Sequence, residues 1–253
     1  MQTMIHDGSF EGFLTTVFEI YEHGFKDVQI YSADKHQQNI FGREYFVTAE
    51  QTKTERVWKG LQQRLSAVAL QQFYKTWLSE ITGIEDVLLS YIQYVFRSKI
   101  SIEKDYSHPA VLTVTDTAKK VHREKHRMEA FVRFQLTKDE LYYAIVEPDF
   151  NVLPLIQSHF KDRYADQRWM IYDGRRRYGI YYDLNNVSCI QVNFEEDSNH
   201  GKDISVVYDD GEKLYQHLWQ TYFGSVNIKS RKNMKLHIQH MPKRYWKYLT
   251  EKV

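Results

Sequence analysis

The apolar residues change their spacing near Ala130, and this change constrains the fold more than any other feature of the sequence. Before it, they recur at helical spacing after a helix start at Ser107 and Pro109. After it, they alternate over 130–147 and 168–194, as they do in strands with one buried face. A long helix followed by paired strands predicts an α+β fold, with an antiparallel sheet built from the two hairpin regions and covered by helices.

Residues 50–98 are predicted to be wholly helical, because their apolar residues fall on three successive helical stripes. No repeat, low-complexity linker or clear boundary divides the chain. We therefore expect one domain over residues 1–253, with the segment of about 50–98 as a helical subdomain inserted beside the sheet.

Shorter elements are expected elsewhere along the chain. A helix over 9–23 should end at Gly24, because glycine favours the position just after a helix, and short strands should flank it at 4–6 and 28–31. The remaining predicted elements are a helix over 151–164, a strand over 187–194, and helices over 231–240 and 243–251.

The composition narrows the class of protein. With 42% hydrophobic and 26% charged residues, the composition is that of a globular protein. The net charge is only +1, so any basic surface that binds nucleic acid must be confined to part of the chain. A single cysteine, Cys189, excludes a disulfide within the chain and an iron–sulfur cluster held by its own thiolates, and we predict no resident metal or cofactor.

Residues 1–10 lack a signal-peptide pattern, and no apolar run approaches the roughly 20 residues of a membrane span. We expect a cytoplasmic protein without membrane contact.

The region over 212–253 is both basic and aromatic. Cations contact phosphates and aromatic faces stack on bases, so this mixture favours a nucleic-acid-binding surface. The alternative is a solvated basic helix face that its aromatic residues pack onto the core. The predicted phosphate-binding residues are Arg231, Lys232, Lys243, Arg244 and Lys247, and those predicted to stack or pack are Tyr245 and Trp246.

A second basic cluster lies at the predicted tip of the later hairpin. Arg175, Arg176 and Arg177 follow Gly174 there, and the guanidinium fork suits phosphate oxygens. An ordinary polar turn is the alternative. We place these three arginines second among the candidates for binding nucleic acid.

No catalytic motif identifies a reaction. The sequence has no Gly-rich phosphate loop and no nucleophile elbow. His122 and His126 have metal-binding spacing, but Glu124 does not directly follow the first histidine, so a solvated helix face is favoured. Whether the chain is an enzyme stays open, as do its catalytic residues. The polar groups that could share a pocket, if the two hairpins share a sheet, are Arg127, Glu129, Arg133, Asp173 and Asp183.

Several segments resemble a bacterial family of probable DNA metabolism proteins. The resemblance is carried by DGSFEGFL at 7–14, HREKHRMEAFVRF at 122–134 and MPKRYWK at 241–247, and extends over essentially the whole chain. It implies a domain found alone or joined to a uracil-DNA glycosylase superfamily domain. It also implies a gene neighbour encoding a radical S-adenosylmethionine protein of DNA repair or modification. We expect the unfused form, because Val253 follows soon after the closing segment.

The residues and the resemblance together predict a DNA-binding accessory to a partner enzyme. The predicted partners are DNA itself and, through the resemblance, the radical S-adenosylmethionine protein. A DNA lesion-processing enzyme that uses the polar pocket is one alternative. A protein-interaction scaffold without DNA contact is the other, and the Tyr-rich composition fits it.

Overall fold

The structure is a computed structural model that describes residues 2–36, 43–138, 140–191 and 241–249. The chain forms two compact units, Met1–His122 and Arg123–Val253. The fold is mixed, with helices and two sheets, as the change in apolar spacing predicted.

The first unit contains a three-stranded parallel sheet in the order β2-β1-β3. Its strands are β1 Gln2–His6, β2 Val28–Ser32 and β3 Arg43–Val47. The first two were predicted from the sequence, whereas β3 was not. In the register, Ile5 of β1 lies beside Tyr31 of β2 and Phe46 of β3.

The hydrophobic core of the first unit is formed by four complete helices and the first turns of a fifth, together with β1 and β2. In α1, Phe10–Glu22, the Ser9 hydroxyl accepts the Gly12 N–H at 2.9 Å, and Gly24 follows the helix with φ +66°. Glycine takes that left-handed conformation without strain, so it ends the helix where predicted. The predicted helical segment over 50–98 contains α2 Gln51–Gln62, α3 Ala67–Trp77 and α4 Ile84–Arg97.

The long helix α5, Pro109–Phe131, begins at the predicted proline. Its buried stripe includes Val121 and Met128, and between them lies Glu124, which is only 1% exposed. A carboxylate on an apolar stripe needs hydrogen-bonding partners, because a buried charge without them is costly. These partners define the candidate site below.

The second unit contains a five-stranded sheet in the order β4-β5-β6-β7-β8. The strands are β4 Gln135–Leu136, β5 Tyr142–Val146, β6 Trp169–Asp173, β7 Tyr178–Tyr182 and β8 Val187–Ile190. The prediction of an antiparallel sheet is only partly right, because β5 and β6 pair in parallel. The helix α6, Leu153–Arg163, connects them, and a helical crossover returns the chain in the same direction. The sheet is therefore mixed.

The last described element is a 3-10 helix, Lys243–Tyr248, within the range where a helix over 243–251 was predicted. The predicted helix over 231–240 and the predicted strand beyond residue 191 lie outside the described residues. In the ranges that the structure describes, no helix is long and apolar enough to cross a membrane.

Candidate nucleic-acid interface

The tip of the β6–β7 hairpin is held by Asp173, whose side chain has no exposed surface. Its Oδ1 accepts the backbone N–H groups of Arg175 at 2.9 Å and Arg176 at 3.1 Å. Burial raises the pKa of Asp173 above its usual range, although Arg176 and the two N–H groups favour the ionised form. The carboxylate thus fixes the turn from inside.

The three arginines of the tip do not share one role. Arg176 folds inward, with its side chain 12% exposed. Its Nη1 donates to Asp173 Oδ2 at 2.9 Å and to the Pro148 carbonyl at 3.1 Å, and its Nη2 donates to the Asp149 carbonyl at 3.3 Å. Arg175 and Arg177 are exposed. Only these two remain in position to meet a ligand.

The buried Glu124 of α5 collects donors from three parts of the second unit. Its Oε1 accepts the Asp149 N–H at 2.8 Å and also the Tyr245 hydroxyl. Its Oε2 lies 3.3 Å from Arg127 Nη1 and 3.6 Å from Arg244 Nη2. Two cations and two neutral donors satisfy a carboxylate that would otherwise be costly to bury.

Sequence reasoning missed Glu124, although a signal was present. Val121, Glu124 and Met128 fall on one helical face, so the pattern alone placed a charge on an apolar stripe. Glu124 was considered only as a possible base between His122 and His126. Those two histidines lie on the same helix, where His126 contacts Glu129 at 3.2 Å.

The 243–248 helix is attached to the rest of the second unit by side chains that include Tyr245, Arg244 and Lys247. Tyr245 is 2% exposed, and burial together with Glu124 raises its pKa well above the usual value. Arg244 Nη2 lies 2.5 Å from Asp149 Oδ2, and its guanidinium lies 4.6 Å from the centre of the Tyr245 ring. Lys247 Nζ lies 2.8 Å from Glu147 Oε2. Tyr245 therefore packs, rather than presenting a face for stacking.

The hairpin tip and the described part of the basic C-terminal region both contact one stretch, residues 147–149. In the hairpin tip, Arg176 donates hydrogen bonds to two carbonyls of this stretch, and the charge of Arg175 helps to lower the pKa of Glu147. The 243–248 helix reaches it through Arg244 and Lys247. We define the basic surface as the exposed cations of these two elements: Arg175, Arg177, Lys243, Arg244 and Lys247.

The residues predicted to share a polar pocket separate into two groups. Arg127 and Asp173 both belong to the network around Glu124 and residues 147–149. The three others have contacts of their own. Glu129 pairs with Lys125 at 2.5 Å and lies 3.9 Å from His159 Nδ1. Arg133 donates to the Ala130 carbonyl at 2.7 Å, and Asp183 accepts the N–H groups of Asn185 at 2.8 Å and Asn186 at 2.6 Å. Two further predicted phosphate-binding residues, Arg231 and Lys232, lie outside the described residues.

The first unit has a half-open pocket of about 470 Å³ beside α1. Glu19 and His23 line it, and with Glu22 they have spacing that could hold a metal ion. However, Lys53 Nζ lies 2.5 Å from Glu19 and 4.0 Å from Glu22. An ammonium group of the chain itself therefore already occupies the position beside Glu19 that a metal ion would take.

A family model described as a domain of unknown function, DUF4130, matches residues 82–251. The chain belongs to the DUF4130 family. The match includes every residue of the basic surface and of the network around Glu124. The family description assigns no activity.

Comparisons with individual proteins add little. No curated protein matches the chain. Among solved structures, a pGpG-specific phosphodiesterase, PggH, from Vibrio cholerae is similar, with 8% identity and a TM-score of 0.36, over 78% of this chain and 84% of that one. A likeness this low supports no inference about the activity of this chain.

Proposed function

We propose that this chain binds DNA through the basic surface and acts as an accessory to a partner enzyme. The observation that carries the proposal is that the hairpin tip and the 243–248 helix both contact residues 147–149. Residues 175 and 243 are distant in sequence, yet both elements rest on the same three-residue stretch. Grouped cations suit the phosphate backbone, which supplies much of the affinity for nucleic acid.

An accessory role is favoured over catalysis by the contacts of the polar candidates. Glu129 pairs with Lys125, Arg133 bonds a backbone carbonyl, Asp183 accepts two turn N–H groups, and Asp173 holds the hairpin tip. Catalytic groups need a shared site and a reacting atom within reach. The radical S-adenosylmethionine protein that the resemblance implies is the partner we propose, with the DNA chemistry supplied by that protein.

The test is a fluorescence-anisotropy titration with DNA at several salt concentrations, comparing two double variants. Arg177→Ala with Lys243→Ala removes two exposed cations of the basic surface, whereas Lys26→Ala with Lys59→Ala removes two exposed lysines of the first unit. Each lost phosphate contact should lower the salt slope by about 0.7 to 0.9. We expect a fall of that size per residue in the first variant and none in the second.

Two results would contradict the proposal. One is the absence of DNA binding by the unaltered chain at low salt. The other is an equal loss of affinity in both double variants, which would mean that only overall charge matters.

A further inference from the structure

The 243–248 helix presents three distinct faces, because a 3-10 helix has three residues per turn and side chains at i and i+3 eclipse. The first face consists of Tyr245 and Tyr248, and both hydroxyl groups are bonded to the rest of the unit: Tyr245 is buried and donates to Glu124, and Tyr248 is hydrogen-bonded to Glu147. This face attaches the helix to the unit and is closed to a ligand.

The second face consists of Arg244 and Lys247, and both cations are already paired. Asp149 lies 2.5 Å from Arg244 Nη2, and Glu147 lies 2.8 Å from Lys247 Nζ. The hydrogen bond to Glu147 also raises the pKa of Lys247. A phosphate at this face has to compete with two carboxylates.

The third face consists of Lys243 and Trp246 and combines a cation with an indole. Lys243 is exposed, and its Nζ lies 5.9 Å from the centre of the Trp246 ring. Trp246 is half-buried, and its Nε1 donates to the Met241 carbonyl at 3.1 Å, which fixes the orientation of the ring. A held aromatic ring beside a cation is the arrangement on which unpaired bases stack.

We infer that the basic surface takes single-stranded DNA, with an unpaired base stacked on Trp246 and the adjacent phosphate on Lys243. This inference rests on the proposed DNA binding. In the interior of a duplex both faces of each base are covered by their neighbours, so away from the duplex ends the indole can stack only on a base that is unpaired. Stacking also tolerates any sequence, because every base has a π-face.

The test compares Trp246→Leu, Trp246→Phe and a control, Tyr106→Leu, which changes an exposed aromatic residue of the first unit. Affinity is measured for a single strand and for a duplex of the same sequence. A 2-aminopurine in the single strand reports stacking, because stacking quenches its fluorescence. Circular dichroism and a thermal melt check that each variant is folded.

We expect Trp246→Leu to lower single-strand affinity about tenfold, to abolish the quenching and to leave duplex affinity and the salt slope unchanged. Trp246→Phe should keep most of the affinity and the quenching, because phenylalanine retains a ring. Tyr106→Leu should have no effect on any of these quantities.

The inference is overturned if Trp246→Leu leaves single-strand affinity unchanged, or lowers single-strand and duplex affinity equally. If DNA binding depends on Arg177 and Lys243 but not on Trp246, the inference fails while the proposed function stands. If the unaltered chain binds no DNA, both fail together.

Discussion

The hairpin tip and the 243–248 helix are both basic and both rest on residues 147–149, but they hold their inner arginines differently. Arg176 is 12% exposed and pairs with Asp173, which has no exposed surface. Arg244 is 43% exposed and pairs at 2.5 Å with Asp149, which is also 43% exposed, and at the longer distance of 3.6 Å with the buried Glu124. Carboxylates elsewhere in the chain therefore decide whether a cation in a basic run supports the fold or faces a ligand. By this criterion Arg176 is structural, whereas Arg244 keeps enough exposed surface to face a ligand as well.

The largest expected effect on stability comes from Asp173→Ala. This change leaves Arg176 without its buried partner and removes the acceptor of two turn N–H groups. Breaking a buried ion pair by deleting one partner costs about 3 to 5 kcal/mol. Urea denaturation followed by circular dichroism should show a loss of this size in the free energy of unfolding of the second unit.

Asp183→Ala is the matched control, because Asp183 also accepts two turn N–H groups but is exposed. Its loss should cost about 1 kcal/mol, the usual net value of such hydrogen bonds. Equal losses in the free energy of unfolding would mean that the buried ion pair of Asp173 and Arg176 adds no stability beyond that of two exposed turn hydrogen bonds.

Tyr245→Phe should have the next largest effect. It removes the hydroxyl that donates a hydrogen bond to Glu124 and leaves the packing of the ring in place. Hydrogen bonds to charged groups contribute about 1.5 to 3 kcal/mol, so chemical denaturation should show a loss in that range. In the variant Tyr248→Phe, which changes a half-buried ring on the same face, the loss should be smaller. The reverse order would contradict the assignment of Tyr245 as the anchor of the helix.

Glu147→Gln should strengthen DNA binding. It removes a negative charge from the 147–149 stretch and releases Lys247 from its 2.8 Å contact. We expect the salt slope to rise by about 0.7 to 0.9, because one more cation becomes available to a phosphate. Anisotropy titrations at several salt concentrations measure this, and Glu55→Gln, on an exposed residue of α2, is the control. Unchanged or weaker binding in Glu147→Gln would count against phosphate contact at this face.

The smallest expected effect is a dependence of stability on alkaline pH. Burial and Glu124 raise the pKa of Tyr245 in the folded chain. The stabilisation of the fold by this protonated hydroxyl is fully present below the pKa of tyrosine in the unfolded chain, about 10. It is lost as pH rises beyond that value, because the unfolded state releases the proton first. The free energy of unfolding should fall less steeply above pH 10 in Tyr245→Phe than in the unaltered chain. Parallel curves would show that the Tyr245 proton does not stabilise the fold.

Sequence reasoning predicted the local elements better than their long-range pairing. The helix over 109–131 and the hairpin around 174–177 follow from periodicity and turn residues, which are local signals. The parallel pairing of β5 with β6 and the strand β3 depend on how distant segments meet. Long-range contacts also limited the prediction of the site. The sequence pointed to Arg244 and Lys247 as cations, but not to the carboxylates that pair with them, Asp149 and Glu147.

The most direct test of the central claim is to compare the salt dependence of DNA binding in Arg176→Ala and Arg177→Ala. The two residues are adjacent at the tip, but Arg176 is folded onto Asp173 and Arg177 is exposed. Arg177→Ala should lower the salt slope by about 0.7 to 0.9 without changing stability, whereas Arg176→Ala should destabilise the fold and leave the slope unchanged. A lower slope in Arg176→Ala alone would contradict the division between structural and ligand-facing cations.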